Sequence, residues 1–305
     1  MTSTRRPARR VVCGWMGLAA AGGLLAAPGV STAGAADLFY ERTVMTAADA
    51  RCGLFAPQIA AALAAGQAQA RGAAIRAGAG KDTLARIERR AKAKAAAADC
   101  RSGDLQLAAD RVRDAFAGYS QLARMTYPGE MAEWRADRAA GTAARWRLQQ
   151  STRFGWDQMT FGLAGREGAN ALMAVATFSD GRAPYAARLI VRDAGVTLGP
   201  YLDARGQKLS HLPLARRLPP PAGQRTYAAE ARSPAGSDLL PKGARTGWAF
   251  RFPAEAAQVL SQLDPREAIA VEFLFAGDGG DAARRAYVEV GDFAAGRAFL
   301  QVANR

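Results

Sequence analysis

Apolar positions along this chain follow two different rhythms. From about Phe39 to Gln150 they return at helical spacing, and beyond Ser151 they fall into short β-rich runs between turn residues. The stretch "RTVMTAADARCGLFAPQIAAALAAGQAQARGAAI" predicts helix, kinked or divided at Pro57 because proline lacks a backbone N–H donor. "GAGK" breaks the pattern, and Asp82 is the expected N-cap of "TLARIERRAKAKAAAADC". After "RSGD", Asp104 is the expected cap of "LQLAADRVRDAFAGYSQLARM", where Leu105, Ala108, Val112, Phe116 and Tyr119 lie on one stripe. A further helix is expected over 131–150, in "MAEWRADRAAGTAARWRLQQ". Short connections favour antiparallel neighbours, so 37–150 reads as an antiparallel helical bundle.

In the second half, "DQMTFGLAG", "NALMAVATFSDG", "PYAARLIVRDAG", "VTLGPYLDARG", "RTYAAEARSP", "TGWAFRFP", "AIAVEFLF" and "RAYVEVGDF" read as strands. Turn sequences such as "SDGR" and "DAGV" suit antiparallel connections. Two short helices are expected, "PAEAAQVLSQLD" opened by Pro253 and "FAAGRAFLQV" near the end. "HLPLARRLPPPAGQ" reads as a surface loop or a cover over a sheet edge. The expected fold is therefore α+β: a helical domain at 37–150, then an antiparallel β-sandwich or barrel-like domain at 151–305.

The N-terminus adds a compartment. "MTSTRRPARR" is basic, "VVCGWMGLAAAGGLLAAPGV" is uncharged and mostly apolar, and "STAGAA" is rich in small residues. That order predicts a signal peptide over 1–36, cleaved before Ala36 or Asp37. "TRRPARR" hints at twin-arginine export, but Ala8 and Arg9 stand where such signals carry a large apolar pair, so twin-arginine and general export both stay open. Cys13 precedes the apolar run and leaves with the leader; a lipidated cysteine would end that run. No later stretch has 18 uninterrupted apolar residues, so no membrane-spanning segment is expected in the mature chain, and the expected location is the periplasm.

Export leaves Cys52 and Cys100 in an oxidising compartment, where a lone pair reads as one disulfide. Two buried free thiols are the alternative; a redox-active pair would call for C-x-x-C, which is absent. The net charge of +14 falls to about +10 once Arg5, Arg6, Arg9 and Arg10 are removed. The one basic run is "RIERRAKAKA", with Arg86, Arg89, Arg90, Lys92 and Lys94 around Glu88. Leu84, Ile87 and Ala91 fall on one helical face, which places the charges on the other. Such a face suits an anionic partner such as lipopolysaccharide, phospholipid or peptidoglycan; it equally suits plain solvation. Nucleic acid is not expected as a partner, since export and the absence of a stacking motif both argue against it.

Candidate chemistry is sparse. His211 is the single histidine, so a zinc site lacks donors, and no metal or other cofactor is expected. "GDGGD" lacks the spacing of a calcium loop and reads as a hairpin tip. There is no G-x-S-x-G and no S-x-x-K, and "AGAGKDT" departs from the phosphate-loop template at Ile75 and Asp82. A triad would have to use His211 and its neighbour Ser210. Trp134, Trp146, Trp156, Trp248, Tyr185 and Tyr201 are candidates for a sugar or lipid groove, against the commoner role of aromatics in packing.

"GWAFRFPAEAAQVLSQLDPREAIAVEFLF" followed by "RRAYVEVGDFAAGRAFLQVA" runs strand, helix, strand, strand, helix. Over these roughly 55 residues the chain resembles the C-terminal part of the invasion-associated locus B family of periplasmic β-domain proteins. The resemblance implies a non-enzymatic envelope protein and carries no functional residue across. The reading is thus a periplasmic protein that binds an envelope protein, lipid or glycan. The alternative is a hydrolase of cell-wall or lipid components with an unrecognised site.

Overall fold

A computed structural model describes residues 32–166, 169–202, 208–277 and 281–302. The leader expectation falls almost wholly on 1–31, outside the described residues, as do Asp278 and the two glycines after it in "GDGGD".

Four helices come first: α1 (Thr32–Cys52), α2 (Pro57–Arg76), α3 (Lys81–Ala97) and α4 (Gly103–Ser120). Pro57 divides rather than kinks, because it stands at the first position of α2, where a missing N–H costs nothing. The expected caps shift. Gly80 caps α3, and Ser102 caps α4 by accepting the Leu105 N–H at 3.4 Å. Asp82 and Asp104 lie in the first turns instead, where their charges still oppose the positive helix ends. α1 packs on α2 and α3. Phe39, Ala70, Ala74, Ile75, Leu84 and Ile87 fill that contact, and Met45, Ala48, Ala95, Leu105 and Ala108 fill a second.

The helix expected over 131–150 is absent. The chain forms strands β1 (Arg124–Pro128), β2 (Glu133–Asp137) and β3 (Arg145–Phe154) instead. The reason is visible in "EWRAD": Trp134 and Ala136 are buried while Glu133 and Arg135 are exposed, which is period two. Helix formers such as Ala, Arg and Leu masked that alternation, and burial of alternate side chains prevailed over propensity.

The remaining elements are β4 (Asp157–Arg166), β5 (Ala169–Thr177), β6 (Ala186–Arg192), β7 (Gln224–Ala228), β8 (Ala231–Pro234), β9 (Trp248–Phe252), α5 (Ala254–Leu260), β10 (Ala268–Phe275), β11 (Ala282–Glu289) and α6 (Phe293–Gln301). The strand expected in "VTLGPYLDARG" is not formed at 196–202, where Gly199 and Pro200 interrupt any ladder; the following "DARG" is outside the described residues. All strand pairs are antiparallel. They build one sheet in the order β1-β2-β3-β4-β5-β9-β8 and another in the order β11-β10-β6-β7. A single apolar core draws on both sheets and on α6, with Leu148, Phe161, Phe252, Leu189, Phe273 and Phe299 among its members.

The helical part is joined to this core through α6. α6 lies against β1, β2 and β3, and α2 lies against α6. Arg76 of α2 donates two hydrogen bonds, at 2.5 and 2.8 Å, to Asp292 just before α6.

Candidate functional site

Cys52 and Cys100 form a disulfide with their Cα atoms 5.6 Å apart. It joins the last residue of α1 to the turn between α3 and α4. Nearby, the Arg51 guanidinium donates to the Ala98 carbonyl. The expected helical face is also present: Leu84, Ile87, Ala91 and Ala95 of α3 are buried. Arg86, Arg89, Arg90, Lys92 and Lys94 are all exposed on the same helix. The Arg90 guanidinium stands over the Tyr40 ring, 4.9 Å from its centroid, and Arg86 donates to Thr83 Oγ1 at 2.9 Å. Glu88 is the one acid among them, 4.0 Å from Arg71.

Ser210 and His211 lie on an exposed 3₁₀ turn, Leu209–His211, and among the described residues no carboxylate hydrogen-bonds the imidazole. Nothing there assembles a triad. Among the described residues no group of three or more His, Cys, Asp or Glu side chains is placed to hold a metal ion.

The titratable groups that sequence reasoning missed are buried carboxylates. Glu289 is fully buried at the end of β11 and accepts the backbone N–H groups of Glu130, Met131 and Ala132 at 2.7, 2.8 and 2.9 Å, fixing the β1–β2 turn. Gln150 Oε1 accepts the Glu289 N–H at 2.8 Å, and the Trp134 indole donates to the Val290 carbonyl at 2.9 Å. Arg217, from the proline-rich excursion, is completely buried. It donates to Glu130 Oε2 and to the carbonyls of Arg266, Leu212 and Leu209 at 2.7 to 3.0 Å. The excursion is therefore anchored by a buried guanidinium, a role that proline-rich composition gave no sign of.

Burial pushes the carboxyls of Glu267 and Asp292 above the usual range, and Arg192 and Arg76 only partly oppose this. Burial also raises Glu130, against Arg217. Glu272 is pushed up by burial too, but its bonds to Arg285 and Arg188 outweigh that and hold it below the usual range. Perturbed carboxylates often mark catalysis. Glu267, Asp292, Glu130 and Glu272 are each matched to arginine and line neither of the two clefts described below, which is the pattern of structural ion pairs; Asp180, held below the usual range by its bond to Arg284, does line a cleft, beside Trp156.

The aromatic candidates separate. Trp134 is fully buried in the core, and Trp146 is buried with its indole N–H donating to the Leu239 carbonyl at 2.9 Å. Trp248 is covered by the Arg232 guanidinium, 3.7 Å from its ring centroid. Trp156 is the most exposed, 92% at the β3–β4 turn, and Tyr185 and Tyr201 are exposed as well, at 45% and 41%. Phe154 pairs with Asp157 across that turn, and Gly155 takes φ +62°, as the first position of such a two-residue turn demands. The turn borders an open cleft of about 540 Å³ lined by Phe154, Asp157, Ser179, Asp180, Arg284 and Arg285. A second cleft, of about 460 Å³, is lined by Pro200, Tyr201, Leu202, Arg216 and Leu218.

Comparison of the chain with protein-family models, with curated proteins and with solved structures finds no match.

Proposed function

We propose that this is an exported, non-enzymatic protein of the bacterial periplasm that docks on an anionic lipid surface through the basic face of α3. The observation that carries this reading is the pairing of four buried apolar positions with five exposed cations on one helix. A helix that spends its apolar face on the core has only its charged face left to offer. The disulfide supports export, because such bonds persist in oxidising compartments. Cleavage before Ala36 or Asp37 would trim the first turn of α1 and keep Phe39, its first large core residue. No helix among the described residues is long and apolar enough to cross a membrane.

In this reading α1 to α4 form an antiparallel bundle stapled by Cys52–Cys100, and the two sheets pack as a sandwich behind it. The order β9, α5, β10, β11, α6 is the one expected from the sequence pattern, and kinship with the invasion-associated locus B family is itself part of the proposal.

The test is co-sedimentation with vesicles of phosphatidylglycerol and phosphatidylcholine, beside vesicles of phosphatidylcholine alone. The chain should sediment with the anionic vesicles only, and less so as salt rises. Replacing Arg86, Arg89, Arg90, Lys92 and Lys94 by Gln should abolish this. Equal sedimentation of that variant would end the proposal. Capture by isolated sacculi in place of vesicles would move the surface from lipid to wall.

A further inference from the structure

The cleft beside Trp156 has a chemistry of its own. An exposed apolar side chain alone says little, since many surfaces carry one. This indole, however, stands on a two-residue turn held by strand pairing, at the rim of a cleft whose polar groups are already fixed in place. Asp157 is buried; its Oδ1 accepts the Ser179 N–H at 2.9 Å and the Ser179 hydroxyl at 3.1 Å. Its Oδ2 accepts Arg284 Nη1 at 3.0 Å, and Arg284 also donates to Asp180. Arg285 is matched by Glu272, to which it donates at 2.5 Å.

Two carboxylates, Asp157 and Asp180, and two guanidiniums, Arg284 and Arg285, line the cleft, and each is paired, so among the described residues no unpaired charge there selects a ligand of opposite sign. What the cleft offers instead is a flat aromatic face beside preorganised acceptors and donors: the Asp180 carboxylate, the Ser179 hydroxyl and the guanidinium rims. A ligand that suits both must be uncharged, apolar on one flat face and dense in hydroxyls around its edge. A pyranose ring is such a molecule: its axial C–H groups lie against an aromatic face while its equatorial hydroxyls bond the rim. The volume of about 540 Å³ suits a short saccharide better than a large cofactor.

We propose that this cleft is a binding site for neutral saccharide, with Trp156 as the stacking platform and Ser179, Asp180 and Arg284 as the hydrogen-bonding rim. The site lies on the sheets, apart from α3, so it stands or falls separately from lipid docking.

The experiment is NMR titration of the ¹⁵N-labelled full chain with chitotetraose, cellotetraose and maltotetraose, each raised into the millimolar range. The Trp156 indole signal is assigned by its loss in Trp156→Phe. At least one saccharide should shift that signal together with the backbone signals of Ser179 and Asp180, and the responding sugar identifies the glycan class. Trp156→Phe, which keeps a ring, should bind within a few-fold of the parent. Trp156→Ala should bind at least about ten-fold more weakly, with unchanged circular dichroism. The α3 glutamine variant should bind saccharide as the parent does. The proposal is overturned if none of the three sugars shifts these signals, or if Trp156→Ala binds as tightly as the parent. It is equally overturned if only anionic vesicles perturb Trp156, which would make the indole a lipid contact.

Discussion

Asp292 sits beside Gly72, and the two depend on each other: a Cβ on Gly72 would lie 2.1 Å from Asp292 Oδ1. The bare glycine lets α2 come close enough for Arg76 to reach that carboxylate. Burial still raises the Asp292 carboxyl above its ordinary value, so its folded form holds a proton more tightly than its unfolded form. The contribution of Asp292 to stability is thus complete below the ordinary Asp value of about 3.9 and is lost as pH rises through the raised folded value. Glu272 works in the opposite sense, since its carboxyl is lowered: its contribution is present above the ordinary Glu value of about 4.3 and fades as pH falls through the folded value. A whole-protein pH profile would mix the two, so the comparison must be with Asp292→Asn, which cannot titrate. Urea unfolding at about pH 4, 5.5 and 7 should show the parent most favoured over Asp292→Asn at the acid end, with the gap shrinking toward neutrality. A gap that widens toward neutrality would contradict the raised carboxyl.

Among the elements, the helices depend on the cross-link more than the strands do. Their contacts are rich in alanine, as at Ala48, Ala70, Ala74, Ala91, Ala95 and Ala108, and each such residue buries little apolar surface. The sheets bury Phe161, Phe250, Phe252, Phe273 and Phe275 instead. A bridge closing a loop with sequence separation 48 contributes about 4 kcal/mol in the chain-entropy model, and measured values more often fall at 2–4 kcal/mol. Cys52→Ser with Cys100→Ser should therefore lower the unfolding free energy by roughly 2–4 kcal/mol. Hydrogen exchange should accelerate most in α1, α3 and α4 and less in β4, β5 and β10. Uniform acceleration across both groups would mean that the bridge stabilises the whole chain, not the helices.

At the scale of the whole molecule, α6 decides how the parts cohere. It closes the sheet core with Phe293 and Phe299, and its outer side is covered by α2, whose Ala68 packs against the same core. Arg76–Asp292 seals this contact with a charge pair almost out of water, its side chains 14% and 1% exposed. Removing the helices would uncover α6 and leave Asp292 without its Arg76 partner. A chain comprising 121–302 should accordingly bind a hydrophobic dye and lack a cooperative thermal transition. The intact chain should melt in one transition. A fragment with a sharp transition and no dye binding would show the sheets to be self-sufficient.

The sequence alone determined the local punctuation and what periodicity encodes. Pro57 and the breaks at "GAGK" and "RSGD" marked off the helices, spacing separated the two faces of α3, and alternation gave most strands after Ser151. The cysteine pair also followed from it, because two thiols in a chain expected to be exported have few other fates. Tertiary structure alone decided the rest. It turned 131–150 into strands, because Trp134 and Ala136 bury against a sheet that local propensity does not register. It set Arg217 and Glu289 into the interior, where partners from distant segments satisfy charges that would otherwise be costly to bury. It also gathered Trp156, Ser179, Asp180 and Arg284 around one cleft, since strand pairing brings together turns that lie far apart along the chain. Pattern records which face of an element is apolar; which elements meet depends on the packing of the whole chain.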